Sequence, residues 1–217
     1  MKPFSFFISG ITLSVILFSC EKTDIPASKN LEMDIESCKP KDKKNLYVGM
    51  EYQGGIIFYL DETGKHGLIS AKEDLGPAPW GCYGTSIPAA QGGDGLTNTL
   101  AILANCPEPG IAARLCDGYI VREKGDHGKK YDDWFMPSFG QFTSILYFLK
   151  SASGLCQKSY WVSSEAYGDF KGIPIDPKKQ AWEINCQCAI PNPDINGIFP
   201  RPAGKSGNNL VRPIRAF

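Results

Sequence analysis

Read for apolar positions, the chain from about residue 46 onward alternates short β-type runs with a few helical faces. In "GGIIFYLDETGKHGLISA" (54–71), Ile56, Ile57, Phe58, Tyr59 and Leu60 form a β-rich run, "DETGK" supplies a turn, and residues 68–71 return the chain as a β-hairpin. The next stretch, "GPAPWGCYGTSIPAAQGGDG" (76–95), is too dense in Gly and Pro for either regular element and is expected to be loop. Leu96, Leu100, Leu103 and Ala104 then fall at helical spacing with Thr97 as a candidate cap, which predicts a helix that buries those leucines. A second short helix is expected over about 110–116, burying Ile111 and Leu115.

The strongest helical pattern follows "WFMPS". Phe142, Ile145, Leu146 and Leu149 stand at i, i+3, i+4 and i+7, so they share one face, and Ser138 with Gln141 forms a capping box at its start. Trp134 and Met136 alternate inward from the extended segment before it. "SYWVSSE" (159–165) and "AWEIN" (181–185) read as strands that pair, and "NLVRPIRAF" (209–217) reads as one closing strand with apolar Leu210, Ile214 and Phe217. Between these strands lie two long segments, 166–180 and 187–209, rich in Pro, Gly, Asn and Lys. Loops of that length in a compact domain are usually functional or disordered.

Ahead of this domain, Lys2 and the apolar run "FSFFISGITLSVILFS" have the polarity and length of a secretory signal peptide, too short and wrongly flanked for a stable transmembrane helix. The run ends in "LFSC" (17–20), which resembles the bacterial lipobox and makes Cys20 the expected lipidated residue. The polar segment that follows, "EKTDIPASKNLEMDIESCKPKDKKN", cannot bury enough apolar surface to offset the entropy of ordering it. The expected layout is a lipoprotein signal peptide at 1–19, a lipidated flexible tether at 20–45 and one folded domain at 46–217. Its membrane association would come through the lipid, at the outer membrane or cell surface.

Among the 217 residues, 23 basic side chains balance 23 acidic ones, so nucleic acid is not expected as a partner. Eight cysteines without a CxxC suit an oxidising compartment where disulfides persist. With Cys20 lipidated, seven remain, so at least one thiol stays free or pairs between molecules. Zinc is not expected, because His66 and His127 sit in turn-like contexts and the Cys186–Cys188 spacing is wrong for a zinc knuckle.

The blocks "GGIIFYLDETGKHGLISA", "WGCYGTSIP", "GIAARLCDGY", "YDDWFMPSFGQF", "SYWVSSE" and "VRPIRAF" resemble, in order and across about 49–217, those of the Legionella collagen-like protein C-terminal domain family. The resemblance implies an α+β, C-type-lectin-like fold: two main helices packed on small twisted antiparallel sheets, with long irregular loops, on a bacterial surface protein. The family's namesake is an adhesin linked to glycosaminoglycan and host-surface binding. Related lectin-like domains often bridge a helix cysteine to one in the last strand. Here Pro213 stands at that place, so Cys116 must pair elsewhere or stay free.

Catalysis finds little support in the residues. Asp132 and Asp133 are adjacent in an extended segment and point to opposite sides, so they cannot flank one glycosidic bond, and an enzyme would need one of them with a distant partner such as Glu165. No GxSxG elbow occurs. "NPDINGIFPRPA" (192–203) begins like a calcium loop but carries Ala203 where a bidentate Glu belongs. The reading is a non-catalytic binding or adhesion domain without cofactor or metal. Trp80, Trp161 and Trp182 are expected in the core. Lys171, Lys178, Lys179, Arg201 and Lys205, in the two long segments, are the candidate ligand residues, suited to acidic glycans on a host or neighbouring surface. The competing expectations are a structural component of an envelope assembly and, third, an envelope enzyme.

Overall fold

The computed structural model describes residues 45–91, 93–123, 128–149, 158–186 and 198–217. The signal peptide, Cys20 and the tether up to residue 44 lie outside the described residues, as do Cys38, His127, Cys156, Cys188 and residues 192–197 of the calcium-like stretch.

The fold is α+β, with few helices and small sheets. One sheet runs in the order β1 (Glu51–Tyr52), β2 (Gly55–Leu60), β3 (Gly67–Ala71) and β13 (Ile214–Ala216), with every pair antiparallel. The other runs in the order β11 (Ile198–Gly204), β10 (Gln180–Cys186), β7 (Lys158–Glu165), β12 (Asn208–Leu210) and β4 (Pro77–Pro79). Its only parallel contact among the described residues is Leu210 against Tyr160. Two short ribbons pair β5 (Val121–Arg122) with β6 (Lys130–Tyr131) and β8 (Asp169–Phe170) with β9 (Ile173–Pro174).

The final apolar run is therefore two strands in two sheets, not one. Val211 is fully buried between them, its carbonyl accepts the Leu75 amide and the Pro213 carbonyl accepts the Ala71 amide, so the chain is tied to both sheets as it crosses. Proline lacks the amide that an uninterrupted strand would use here. Arg212 anchors the crossing. It is buried, and its guanidinium donates to Asp74 and to the carbonyls of Ala71 and Lys72.

Three helices pack on this frame: α1 (Gly95–Asn105), α2 (Ala112–Asp117) and α3 (Phe139–Leu149). Phe142, Ile145 and Leu146 of α3 pack with Phe58 and Ile214 of the first sheet and with Tyr160, Val162 and Ile184 of the second. Trp161 projects to the opposite face of β7, into a cluster with Trp80, Ile102, Ile111, Ala181 and Val211. Covered on both faces, β7 is buried from Tyr160 through Glu165. A third cluster, with Ile57, Ile69, Tyr131 and Trp134, backs the first sheet.

The capping box at α3 forms as expected: Gln141 accepts from the Ser138 amide at 2.9 Å, and Ser138 Oγ accepts from the Gln141 amide at 3.5 Å. Gln141 Oε1 also accepts the first amide of α1, from Gly95, at 2.9 Å. One side chain thus joins the starts of two helices.

The buried face of α1 differs from the leucine pattern. Leu96 and Leu100 are about half exposed, whereas Gly95, Asn98, Thr99 and Ile102 are buried. The reason is that α1 lies against the backbone lead-in to α3. Thr99 Oγ1 accepts the Met136 amide at 3.0 Å, and Asn98 donates to Ser163 Oγ at 3.2 Å. A Cβ at Gly95 would stand 2.2 Å from the Met136 carbonyl oxygen, so only glycine permits that approach. The N-cap is Asp94, which accepts from the Thr97 amide, and Thr97 is not itself the cap.

Candidate functional site

Catalysis by an acid pair would need at least one carboxylate unpaired and facing a cleft. Asp133 forms a two-pronged pair with Arg215, at 2.6 and 2.9 Å, and Arg215 also donates to Gln53 while its guanidinium carbon lies 4.7 Å from the Tyr131 ring centre. Asp132 points elsewhere, to Lys130, at an exposed site. Asp74 accepts from Arg212, Lys158 and Tyr160. Glu183, buried, accepts from Arg201 and from Asn209. Asp74, Asp133 and Glu183 are thus each committed to holding separate segments together, whereas Asp132 pairs only with its near neighbour.

Glu165 is committed most deeply. Its Oε1 accepts from the Ile87 amide at 2.7 Å and Lys205 Nζ at 2.5 Å, and its Oε2 from Ser86 Oγ at 2.8 Å and Gln91 Nε2 at 2.9 Å. Lys205 also donates to the Thr85 carbonyl and lies 4.5 Å from the Trp80 ring centre. Both side chains of the pair are completely buried. Burial lowers the pKa of Lys205, with Glu165 pulling the other way. Lys205 is therefore not a solvated loop cation available to a ligand. The "AGKSG" turn between β11 and β12 lies beneath the loop at 80–91, where the Lys205 carbonyl accepts the Gly81 amide and the Lys205 amide donates to Lys179.

The other four candidate cations are exposed but do not form one patch through shared contacts. Lys171 occupies the turn of the β8–β9 ribbon with a left-handed backbone (φ +55°), its ammonium 5.4 Å from the Phe170 ring centre. Lys179 pairs with Asp176 at 3.3 Å. Lys178 lies beside it, its amide held by Asp176. Arg201 pairs with Glu183, opposite it in register between β10 and β11. Trp182 and Glu183 are neighbours in a strand and project to opposite faces, so Arg201 belongs to the face away from Trp182.

On the Trp182 face lies an open cleft of about 450 Å³ lined by Gln91, Phe139, Ser164, Tyr167, Phe170, Trp182 and Pro200. Its position follows from the elements. Phe139 is the first residue of α3, Ser164 stands near the end of β7, Phe170 ends β8, and Pro200 lies in β11. Trp182 sits where the β10–β7 register shifts, between Ala181 and Glu183. Such irregularities re-aim a side chain and recur beside binding sites. The Trp182 ring meets Phe170 edge-on at 5.8 Å and Phe139 at 6.4 Å, a fixed angular arrangement rather than a flat stack. Tyr167 and Phe139 are well exposed at the rim. No lining residue carries a charge. Of the five candidate cations only Lys171 adjoins the cleft, through Phe170.

Trp80 and Trp161 are core residues as expected, whereas Trp182 is only half-buried and forms part of this wall. The sequence signal that could have marked the site is "AYGDFKG" (166–172), where two aromatics stand in a glycine-rich turn with no apolar periodicity to draw them inward.

A second cleft, of about 410 Å³, is lined by Glu51, Gln53, Lys72, Glu73, Arg122 and Glu123 among others. Its charges are of both signs. The Lys72–Glu51 pair at its edge is exposed, at 45% and 70%, where solvent weakens charge recognition.

Cys82 and Cys106 form a disulfide. With Glu108 they make up the only potential metal-ligand group among the described residues, but the bridge occupies both sulfurs. Cys116 and Cys186 are buried, and neither is bridged among the described residues. Burial, with some help from Asp74, pushes the Cys186 thiol up to about 12, and burial with Asp117 raises Cys116 further. Neither is a thiolate nucleophile at neutral pH. No helix among the described residues is long and apolar enough to cross a membrane.

No protein-family model matches the chain, and no curated protein matches it.

Proposed function

We propose that this chain is a bacterial envelope lipoprotein, held by an acylated Cys20, whose C-type-lectin-like domain binds glycans without catalysis in the aromatic cleft at Trp182. The observation that carries the reading is the cleft itself: about 450 Å³, walled by Phe139, Tyr167, Phe170 and Trp182, and free of charged lining. That volume falls within the range of small-ligand sites, which are apolar and aromatic with a few placed polar groups. The apolar face of a neutral pyranose suits it. The commitment of Asp74, Asp133, Glu165 and Glu183 to cations supports a non-catalytic role. The two longer helices and small sheets are consistent with the lectin-like expectation without singling it out.

The test is a glycan-array screen of the acylated mature chain in detergent, followed by titration of the best ligand. Trp182→Ala is expected to weaken binding tenfold or more, as truncation of a central aromatic anchor does. Wild-type affinity is expected to change little between about 0.05 and 0.5 M salt, a range over which exposed charge pairs lose most of their strength. The same preparation reports on the anchor: wild type enters the detergent phase, and Cys20→Ala stays in the aqueous phase. Retention only on polyanions such as heparin, falling steeply with salt, would transfer the site to Lys171, Lys178, Lys179 and Arg201. That acidic-glycan reading is favoured by one contact, Lys171 beside Phe170.

A further inference from the structure

Resting on the reading that the cleft binds glycans, we infer that its ligand is an acetamido sugar, recognised by its N–H at Gln91 and its methyl group on the aromatic wall.

A carboxylate only accepts hydrogen bonds, so the group Gln91 turns to Glu165 must be its amide nitrogen, which donates to Oε2 at 2.9 Å. Lys205 Nζ pairs with the same carboxylate at 2.5 Å, with both side chains completely buried. That orientation leaves Gln91 Oε1, which has no hydrogen-bond donor among the described residues, on a side chain that lines the cleft. The buried carboxylate therefore engages the nitrogen end of an uncharged side chain and leaves its oxygen for a ligand. Another polar group of the wall is the Ser164 hydroxyl. Its oxygen accepts from the Phe139 amide at 3.4 Å, which leaves its proton to donate.

The cleft thus offers an acceptor at Gln91, a donor at Ser164, the polar tips of Tyr167 and Trp182 and a large aromatic surface, and no charge of either sign. An anion would find no cation in the lining, and a quaternary ammonium would find no unneutralised carboxylate, because Glu165 is saturated. A plain hexose presents hydroxyls that could meet either polar group, but its single apolar face covers little of a wall built from Phe139, Tyr167, Phe170, Trp182 and Pro200. An acetamido group brings a neutral N–H donor for Gln91, a carbonyl acceptor for Ser164 and a methyl group for the rings. It satisfies all three features with one substituent.

The probes are the trimer of N-acetylglucosamine and the glucose trimer with the same linkage, titrated into the mature chain with tryptophan fluorescence as the readout. The acetamido trimer is expected to bind about tenfold tighter, the gain from a buried methyl group together with a matched N–H donor. Gln91→Met removes the acceptor at similar length and should reduce that preference to about twofold or less, chiefly by weakening the acetamido trimer. Ser164→Ala should narrow it too, and it serves as the second variant if circular dichroism shows Gln91→Met unfolded. Equal affinity of wild type for both trimers overturns the acetamido inference while leaving glycan binding in the cleft standing. A preference that survives both substitutions also overturns it. If neither trimer binds and heparin is retained in a salt-sensitive manner, the cleft reading itself fails.

Discussion

Lys205→Met is expected to destabilise the domain by about 3–5 kcal/mol, the cost of leaving a buried charge without its partner. Glu165 would keep its bonds from Ser86, Ile87 and Gln91, but these are dipoles and cannot neutralise it. The ammonium also lies 4.5 Å from the Trp80 ring centre, a contact that methionine replaces only in its apolar part. Urea unfolding followed by tryptophan fluorescence measures the loss, because Trp80 and Trp161 are fully buried. The double variant with Glu165→Gln should lose less than the two single variants added together, since each single change strands the other group. A loss below about 1 kcal/mol for Lys205→Met would mean that the pair is solvated and its role in orienting Gln91 is wrong.

Removing the Cys82–Cys106 bridge should cost a comparable amount. Its cysteines are 24 residues apart, and the entropy of closing a loop of that size in the unfolded chain corresponds to about 3.5 kcal/mol. For a domain of this size that lowers the melting temperature by roughly 10 °C. The bridge secures an unusual backbone: Gly81 (φ +104°) and Cys82 (φ +51°) are both left-handed, and a Cβ at Gly81 would stand 2.5 Å from an Ile111 methyl. Glu108 accepts the Cys82 amide, and Arg114 binds the carbonyls of Cys106 and Glu108, so part of the geometry outlasts the covalent bond. Scanning calorimetry of Cys82→Ala/Cys106→Ala is the measurement. A fall of only about 2 °C would show that the unfolded chain gains little freedom from the cut. Bridge and buried pair hold the same loop, the one that carries Gln91 to the cleft, so combining the two lesions should be non-additive.

Much of the frame was legible along the chain because it rests on near neighbours. The 54–71 hairpin, the α3 face with its Ser138–Gln141 box, and the pairing of 159–165 with 181–185 follow from period, turn chemistry and capping, all local properties. Asp132 and Asp133 diverging to Lys130 and Arg215 follows from strand alternation alone.

What only the tertiary structure decided is the site, and the reason is that its members are brought together by packing rather than by spacing. Lys205 looked like a solvated turn lysine until Glu165, 40 residues earlier, and Trp80 closed around it. Leu96 and Leu100 looked like core positions, but α1 turned its polar face to the Met136 backbone because Gly95 allowed the closest approach. Trp182 had the composition of a core residue, and a register shift in β10 placed it in a cleft wall with Phe139 and Phe170. A side chain's periodicity determines which face it joins. Whether that face meets protein or solvent depends on residues far along the chain, and that is a property of the assembled fold.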